Sequence, residues 1–347
     1  LVCHLPRSQA QEPHTNNGSA DIKGGKGERD ALFINAETPK PTAASGQVIA
    51  KVKAFGINRM DIIQRRGFYP LPPQAPSTLG VEFSGTIESF GPGDHGNFKV
   101  GDEVLGLAYG GAYAEYIAVS SKMLLHKPDH MSFEQAAAIP ETWITATQAL
   151  HMVLGFAKGK SILWHAGASG VSIAGIQLSR ASGAAEVYAT AGSDEKCAFV
   201  TKEIGATAAF NYKTTDWAKE IKEKTGGKGV DYIVDFVGGD YFQKNLDVAA
   251  RDCRIVLLGT LSGGKVPNAD ISQILFKRIR IEGSTLRSRD EEYQGKLRDR
   301  LETYCPDFRA GTLKIVVDKV MPWEQIQEAH KYMEDAKNTG KIVCTIS

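Results

Sequence analysis

The stretch "ILWHAGASGVSIAGIQLSRASGAAEVYATAGSDEK", Ile162 to Lys196, decides the fold. An apolar run leads into a turn of small residues, then a helical period, then a second apolar run. In a first βα unit the small residues let the backbone approach a diphosphate, and the N–H groups at the helix start point at its negative charge. The turn comprises Ala166, Gly167, Ala168, Ser169, Gly170, Val171 and Ser172, which is not a strict GxGxxG. Taken alone it reads more readily as a tight strand-to-helix connection. The context changes that reading, because buried-strand runs "SILWHA", "EVYATA", "AAFNY", "VDYIVDFV" and "RIVLLG" alternate with helical periods. Such alternation specifies an α/β fold with a doubly wound parallel sheet of the Rossmann type, placed at residues 138–283.

Both flanks differ from this rhythm. Short β-like runs such as "QVIAKVKAFGI", "GVEFSGTIESFG" and "GAYAEYIAV" fill residues 21–137, and "LKIVVDKV" and "GKIVCTI" resume the style within 284–347. Strands broken by Gly-containing turns indicate a partly antiparallel, barrel-like domain. The expected arrangement is therefore one β-rich domain made from both ends of the chain and interrupted by the parallel sheet. Residues 1–20 are polar and aperiodic, and read as a flexible extension without fold information. The whole chain has 347 residues, 42% of them hydrophobic, which suits two domains. With 41 basic and 40 acidic residues no overall field draws it to nucleic acid or acidic membranes. Five scattered cysteines without a CxxC pair argue against a disulfide framework and fit the cytosol. No apolar run reaches the ~20 residues of a spanning helix.

The end of the second strand bears on the cofactor. An Asp or Glu there accepts from the ribose 2′-OH of NAD and repels a 2′-phosphate. Here the strand ends "ATAGS", so Gly192 and Ser193 offer a turn and a hydroxyl, and Lys196 adds a cation one turn into the helix. Ser193 also suits a helix N-cap with Asp194 and Glu195 in the first turn. These features favour NADPH, with Gly167, Ser169, Gly170 and Val171 at the diphosphate and Lys196 and Tyr212 near the 2′-phosphate. Phe236, Val237 and Gly238 end the fourth strand, where ligands meet the carboxyl edge of such sheets.

Several spaced segments, among them "AFGINRMDIIQRRGFYP", "LGVEFSG", "GGAYAEY", "AAAIPETWITATQAL", "HAGASGV", "LFKRIRIEGSTLRSR" and "EAHKYMEDAKNTGKIV", closely resemble the zinc-independent quinone oxidoreductases of the medium-chain dehydrogenase/reductase superfamily. The likeness runs from about Asp30 to the C-terminus and is nearest to the tumour-suppressor-inducible branch. It implies NADPH as hydride donor, a GroES-like catalytic domain and a homodimer or homotetramer. Zinc-dependent members place Cys and His where this chain has Asn58 and Val81. Zinc needs about four N, S or O ligands, and an amide and an isopropyl group leave too few. Relatives also imply Thr145, Leu258, Gly259, Thr260, Ser284, Thr285 and Leu286 around the nicotinamide, with Asn338 and Lys341 closing the cleft. They usually carry Gly where this chain has Ser172. A serine hydroxyl there can bond back to a helix carbonyl, and some loss of cofactor affinity is expected.

Without a Lewis acid the natural substrate is one that takes hydride unaided, such as a quinone, whose reduction yields a delocalised phenolate. Tyr69, in "RRGFYP", is the expected donor to the developing oxyanion, although an aromatic residue before Pro often only packs a loop. Asn58 and Asp61 are expected to orient cofactor and loop, and Asp61 could equally cap the helix "DIIQRR". One rival reading is an NADPH-dependent enone or enoyl-thioester C=C reductase, for which Tyr69 would donate to the α-carbon. A rival of another class is an RNA-binding or structural role like that of the relative zeta-crystallin, through Lys277, Arg278, Arg280, Arg287 and Arg289. The acids Asp290, Glu291 and Glu292 follow at once and weigh against it. The histidines His126, His130, His151 and His165 are read as surface or buried polar residues.

Overall fold

The computed structural model describes residues 16–347. The chain opens on a hairpin of β1 (Asn16–Ile22) and β2 (Leu32–Pro39). It continues through β3 (Gln47–Ile57), β4 (Glu82–Phe90), β5 (Glu103–Leu107), β6 (Tyr116–Ser120) and β7 (Leu124–His126). Next come β8 (Ser161–Trp164), β9 (Glu186–Ala191), β10 (Ala208–Asn211), β11 (Val230–Asp235), β12 (Ala249–Leu257) and β13 (Arg280–Gly283). The last strands are β14 (Val317–Pro322) and β15 (Lys341–Thr345).

Two sheets carry the molecule. β8 to β13 form a six-stranded parallel sheet in the order β10-β9-β8-β11-β12-β13, with helices between successive strands. The order reverses between β8 and β11, the switch point at which open parallel sheets bind ligands. This is the Rossmann-type domain, and it interrupts a GroES-like domain built on the order β14-β15-β3-β4-β5-β7, with β6 also paired to β3. Because β15 pairs with β3 through Ile342↔Ile57 and Cys344↔Phe55, the two ends of the chain share one sheet.

Residues 16–20 correct the expectation of a flexible extension. They begin β1, Ser19 and Ala20 are fully buried, and the Asn17 amide donates to Tyr116 O at 3.1 Å while its carbonyl accepts from Tyr116 N at 2.8 Å. A polar, aperiodic strand is invisible to hydrophobic patterning because its burial is satisfied by hydrogen bonds rather than by apolar contact. The rest of that segment, 1–15, lies outside the described residues.

The core runs through both domains. Phe55, Phe83, Leu79, Trp164, Ile162 and Val234 are each at 0% exposure, and full burial of such side chains contributes about 1.5–3 kcal/mol each. The helix Gly170–Ala181 packs tightly on β8. A Cβ on Gly175 would lie 2.2 Å from the Trp164 ring, and Trp164 Nε1 donates to Ser179 Oγ at 3.1 Å. Gly175 thus provides a close approach of this helix to β8 although position 172 carries serine. Ser172 is buried, and its hydroxyl donates to His165 O at the end of β8 (2.8 Å) rather than to a carbonyl of its own helix.

Candidate active site

The glycine-rich turn joins β8 to the helix Gly170–Ala181. Ala166 adopts φ +49°, a conformation that costs a non-glycine residue of order 1 kcal/mol. Ser169 then caps the helix, accepting from Ser172 N at 3.3 Å. Gly167 has no room for a side chain, since a Cβ would sit 2.8 Å from the Ala189 Cβ on β9. Gly170 is constrained from both domains, its hypothetical Cβ meeting Thr142 Cγ2 of its own domain at 2.8 Å and Lys341 Cδ of the other at 2.9 Å. Val171 is half-buried beside it. The segment before β15 lies on this turn, with Gly340 N donating to Ala168 O at 2.8 Å. The helix start is therefore held from both domains, and its first N–H groups are the natural seat for a diphosphate.

At the end of β9 the chain turns through Gly192 into Ser193, which caps the helix Asp194–Lys202 by accepting from Lys196 N. Lys196 Nζ donates to Ala336 O at 2.7 Å and to Asn338 O at 2.8 Å, and burial pulls its ammonium pKa down. An ammonium has three donors, so one remains. Ser193 and Lys196 line a cavity of about 540 Å³ with Phe199, Asp318, Lys337 and Thr339. Tyr212 leans on Gly192 and is 44% exposed. Gly192, Ser193, Lys196, Tyr212 and Asn338 thus come together from two domains.

The carboxyl ends of β11 to β13 form a second group. Asp235 accepts from Val237 N at 2.7 Å and from Asn245 Nδ2 at 3.0 Å, and Asn245 Oδ1 lies 2.7 Å from His165 Nε2, whose Nδ1 meets Thr190 Oγ1 at 2.9 Å. His165 is thus a fully buried polar residue, and burial pushes its pKa down. The loops after β11 and β12 are zipped together: Leu261 N donates to Phe236 O and Gly239 N to Gly263 O. Gly238 has φ +79°, and a Cβ there would meet Thr260 Cα at 3.0 Å. A cavity of about 320 Å³ opens beyond, walled by residues 257–260 and 283–285 and by Arg289, and so by Leu258, Gly259, Thr260, Ser284 and Thr285. Leu286 is 5% exposed, and its side chain packs in the core.

The GroES-like domain supplies the third group. Asn58 caps the short helix Arg59–Arg65, and Asp61 closes the capping box by accepting from Asn58 N at 2.8 Å. Asp61 thus stands at the third position inside a helix that begins at Arg59, with Asn58 rather than Asp61 as its N-cap. The carboxylate also accepts from Gly80 N and the Tyr113 hydroxyl, and burial pushes its pKa up to about 6. The Asn58 amide is pinned between Glu82 Oε1 (2.8 Å) and Lys341 Nζ (2.8 Å), and Lys341 pairs with Glu82 at 2.5 Å. The three donors of Lys341 go to Ile57 O, Asn58 Oδ1 and Glu82 Oε1, which joins the last strand to the segment that carries Asn58.

Glu82 Oε2 accepts from Glu141 N at 2.9 Å, and burial together with the Glu82 charge pushes the Glu141 carboxyl up to about 8. Thr145 Oγ1 lies 3.5 Å from Glu141 Oε1. The Tyr69 ring stands 5.4 Å from the Arg287 guanidinium, and burial, with Glu141 adding to it, raises the phenol pKa while Arg287 opposes. Glu82, Glu141 and Arg287 were not among the residues singled out for the enzyme site. Glu82 stands next to Val81 in "LGVEFSG", and a carboxylate flanked by apolar residues was the signal available.

Buried polar atoms without a partner test whether these surfaces suit a ligand. Among the described residues six such side-chain atoms occur, including Ser284 Oγ, Gln148 Oε1, Arg287 Nη2 and Gln294 Oε1. These four lie on the segment 284–289 or on side chains bonded to it, through Gln148 Nε2 to Thr285 O and Gln294 Nε2 to Leu286 O. Buried polar groups are otherwise almost always satisfied, so the wall with Ser284 fits a polar ligand such as a carboxamide. The basic run offers little to phosphates. Arg278 pairs with Asp252, Lys277 donates to Leu246 O and Asp247 O, and Arg287 is 3% exposed.

Comparison with known proteins agrees with this architecture. Residues 44–129 match the family described as alcohol dehydrogenase GroES-like domain, and residues 170–302 the family described as zinc-binding dehydrogenase. The chain is 30% identical to the synaptic vesicle membrane protein VAT-1 homolog of Danio rerio, over 97% of its own length and 72% of that protein. It is 30% identical to quinone oxidoreductase-like protein 2 of Mus musculus, over 92% and 90%. Among solved structures it is similar to the Pseudomonas syringae quinone oxidoreductase (TM-score 0.83, 28% identity, 95% and 100% covered) and to the CurK enoyl reductase (0.81, 29%, 95% and 99%). A mycobacterial protein complexed with NADPH is similar too (0.83, 27%, 95% and 100%).

Proposed function

The chain belongs to the medium-chain dehydrogenase/reductase superfamily, in its quinone oxidoreductase branch, and from that membership we propose that this oxidoreductase is an NADPH-dependent quinone reductase working without zinc. The observation that carries the reading is the unpartnered Ser284 hydroxyl on the wall of the strand-end cavity, in a fold whose turn and helix start suit a dinucleotide. The bound cofactor would supply a hydride. The helix start at Ser169 and Gly170 would hold its diphosphate. Ser193 and the remaining donor of Lys196, beside Tyr212 and Asn338, would hold the 2′-phosphate, and residues 258–260, Ser284 and Thr285 would flank the nicotinamide, with Thr145 near it.

The work of this chain's residues begins with the charge that the acceptor then carries. A quinone that has gained a hydride is a monoanion, and Tyr69 O–H would donate to its oxygen until solvent delivers the second proton. Asn58 and Asp61 hold the neighbouring helix in place. The zinc-free reading rests on the donor set: Asn58 is committed to Glu82 and Lys341, and Val81 offers no ligand. The four cysteines among the described residues are free, which supports a cytosolic protein. No helix of the described residues is long and apolar enough to cross a membrane. Exposed Leu261, Ile271, Leu275 and Phe276 lie near the open β13 edge, and support self-association into a homodimer or homotetramer there.

Similarity to an enoyl reductase keeps a second reading, reduction of a conjugated C=C bond, for which a proton donor is obligatory. NADPH and NADH oxidation with a panel of quinones, enones and an enoyl thioester, with and without EDTA, tests both. Quinone turnover with NADPH that survives chelation is expected, and loss on chelation overturns the metal-free reading. Tyr69→Phe should lower quinone turnover only a few-fold but enoyl-thioester reduction by about 10²–10⁴-fold.

A further inference from the structure

Arg287, on the segment after β13, is 3% exposed. Its Nε donates to Tyr109 O at 2.5 Å and its Nη1 to Gln64 Oε1 at 2.7 Å, and Gln64 is itself fixed by donating to Ser77 O at 3.0 Å. Both acceptors are neutral. Among the described residues no carboxylate lies within ion-pair distance of this guanidinium, and Nη2 has no partner at all. The room around Nη2 depends on Gly110, where a Cβ would come within 3.0 Å of it. The ionisable groups that share its surroundings are Tyr69, Asp61 and Glu141, and burial resists charge on all three. The hydrogen bonds of this buried cation go only to neutral acceptors, so an anion that reaches Nη2 gains a charge-assisted hydrogen bond that the protein itself does not make.

We propose that Arg287 makes this site selective for hydroxyquinone-type acceptors, whose ring oxygen is already ionised at neutral pH and is bound by the unclaimed Nη2 beside Tyr69. The assignment rests on the reading of the protein as a quinone reductase and adds the acceptor class to it. A neutral quinone meets the same guanidinium only after it has accepted hydride. An ionised hydroxyquinone meets it on binding, so the difference between the two lies in affinity.

The test is equilibrium binding, read by tryptophan fluorescence without nucleotide, of 2-hydroxy-1,4-naphthoquinone against the uncharged 2-methyl-1,4-naphthoquinone. The wild type should bind the anion at least about tenfold more tightly. Arg287→Met should bring the ratio near one, and Arg287→Lys should keep part of it. A ratio near one in the wild type, or one unchanged in Arg287→Met, overturns the proposal. Should the Met variant fail to fold, acidifying the wild type until the hydroxyl is neutral must abolish the preference, and a preference that persists overturns the proposal equally. NADPH-driven turnover of the methyl compound separates the two readings: turnover with a flat binding ratio sinks the acceptor assignment alone. No quinone turnover with an Arg287-dependent ratio sinks the reductase reading and leaves the anion site standing.

Discussion

Beneath the short helix Arg59–Arg65, Lys341, Glu82 and Asn58 satisfy one another completely, whereas along the segment 284–289 Ser284 Oγ and Arg287 Nη2 are buried without partners among the described residues. Both regions are polar, and the Ser284 and Arg287 side chains are buried like the first cluster although Thr285, Ser288 and Arg289 around them are exposed. The first spends every donor on the protein itself and ties the two ends of the chain together, since Lys341 opens β15 and Ile57 closes β3. The second leaves donors over, and unspent donors in a buried place identify where a ligand would complete the structure. Charge alone would have misassigned them, because Lys341 is a cation bound inward and Arg287 a cation with capacity to spare.

The sharpest way to break this contrast is Lys341→Met, which strands the Glu82 carboxylate in the interior. A loss of about 3–5 kcal/mol in denaturant unfolding is expected, and the further change Glu82→Gln should recover part of it. An undiminished stability would mean that the cluster is not the tie described here. The next effect lies on the cofactor side. Lys196→Glu should lower the ratio of kcat/KM for NADPH over NADH by about 10–100-fold, the worth of a hydrogen bond to a charged group, and an unchanged ratio would remove Lys196 from the 2′-phosphate.

A third measurement uses Glu141, which sits between the two regions. Burial and the Glu82 charge push its folded pKa up to about 8 from the ordinary 4.5, so the folded state holds its proton more tightly than the unfolded state. That contribution is fully present below about 4.5 and is lost as the pH rises through about 8. The melting temperature of the wild type should therefore fall across this window relative to Glu141→Gln, and parallel curves would refute the shift. The smallest effect is expected at Ser172, whose hydroxyl faces His165 O under the turn. Ser172→Gly should tighten NADPH binding by no more than about threefold, while costing about 1 kcal/mol in stability through the lost hydrogen bond and the helical glycine.

Much of this architecture was legible beforehand. The strand "QVIAKVKAFGI" occupies Gln47–Ile57 as read, and "EVYATA" occupies Glu186–Ala191, because period-two and continuous apolar runs state burial directly. The polar strand Asn16–Ile22 carried no such signal, since its burial depends on the start of β6, 99 residues away at Tyr116. Among the site residues, Ser169 and Ser193 cap the helices that their local sequence announces. Glu141 and Arg287 have no local signature, and neither the burial of Leu286 nor the inward pairing of Lys341 is written in the neighbouring residues, because the direction of a side chain at a strand end depends on what packs against it.

Sequence by itself determined the parallel sheet, its interruption of a β-rich domain and the small-residue turn at its head, all of which follow from short-range periodicity and the steric needs of a tight turn. Only the tertiary structure decided which charged side chains are consumed and which are left over. Hydrogen-bond satisfaction is a property of atoms brought together from distant positions, 284 residues apart for Lys341 and Ile57, and no local pattern encodes it.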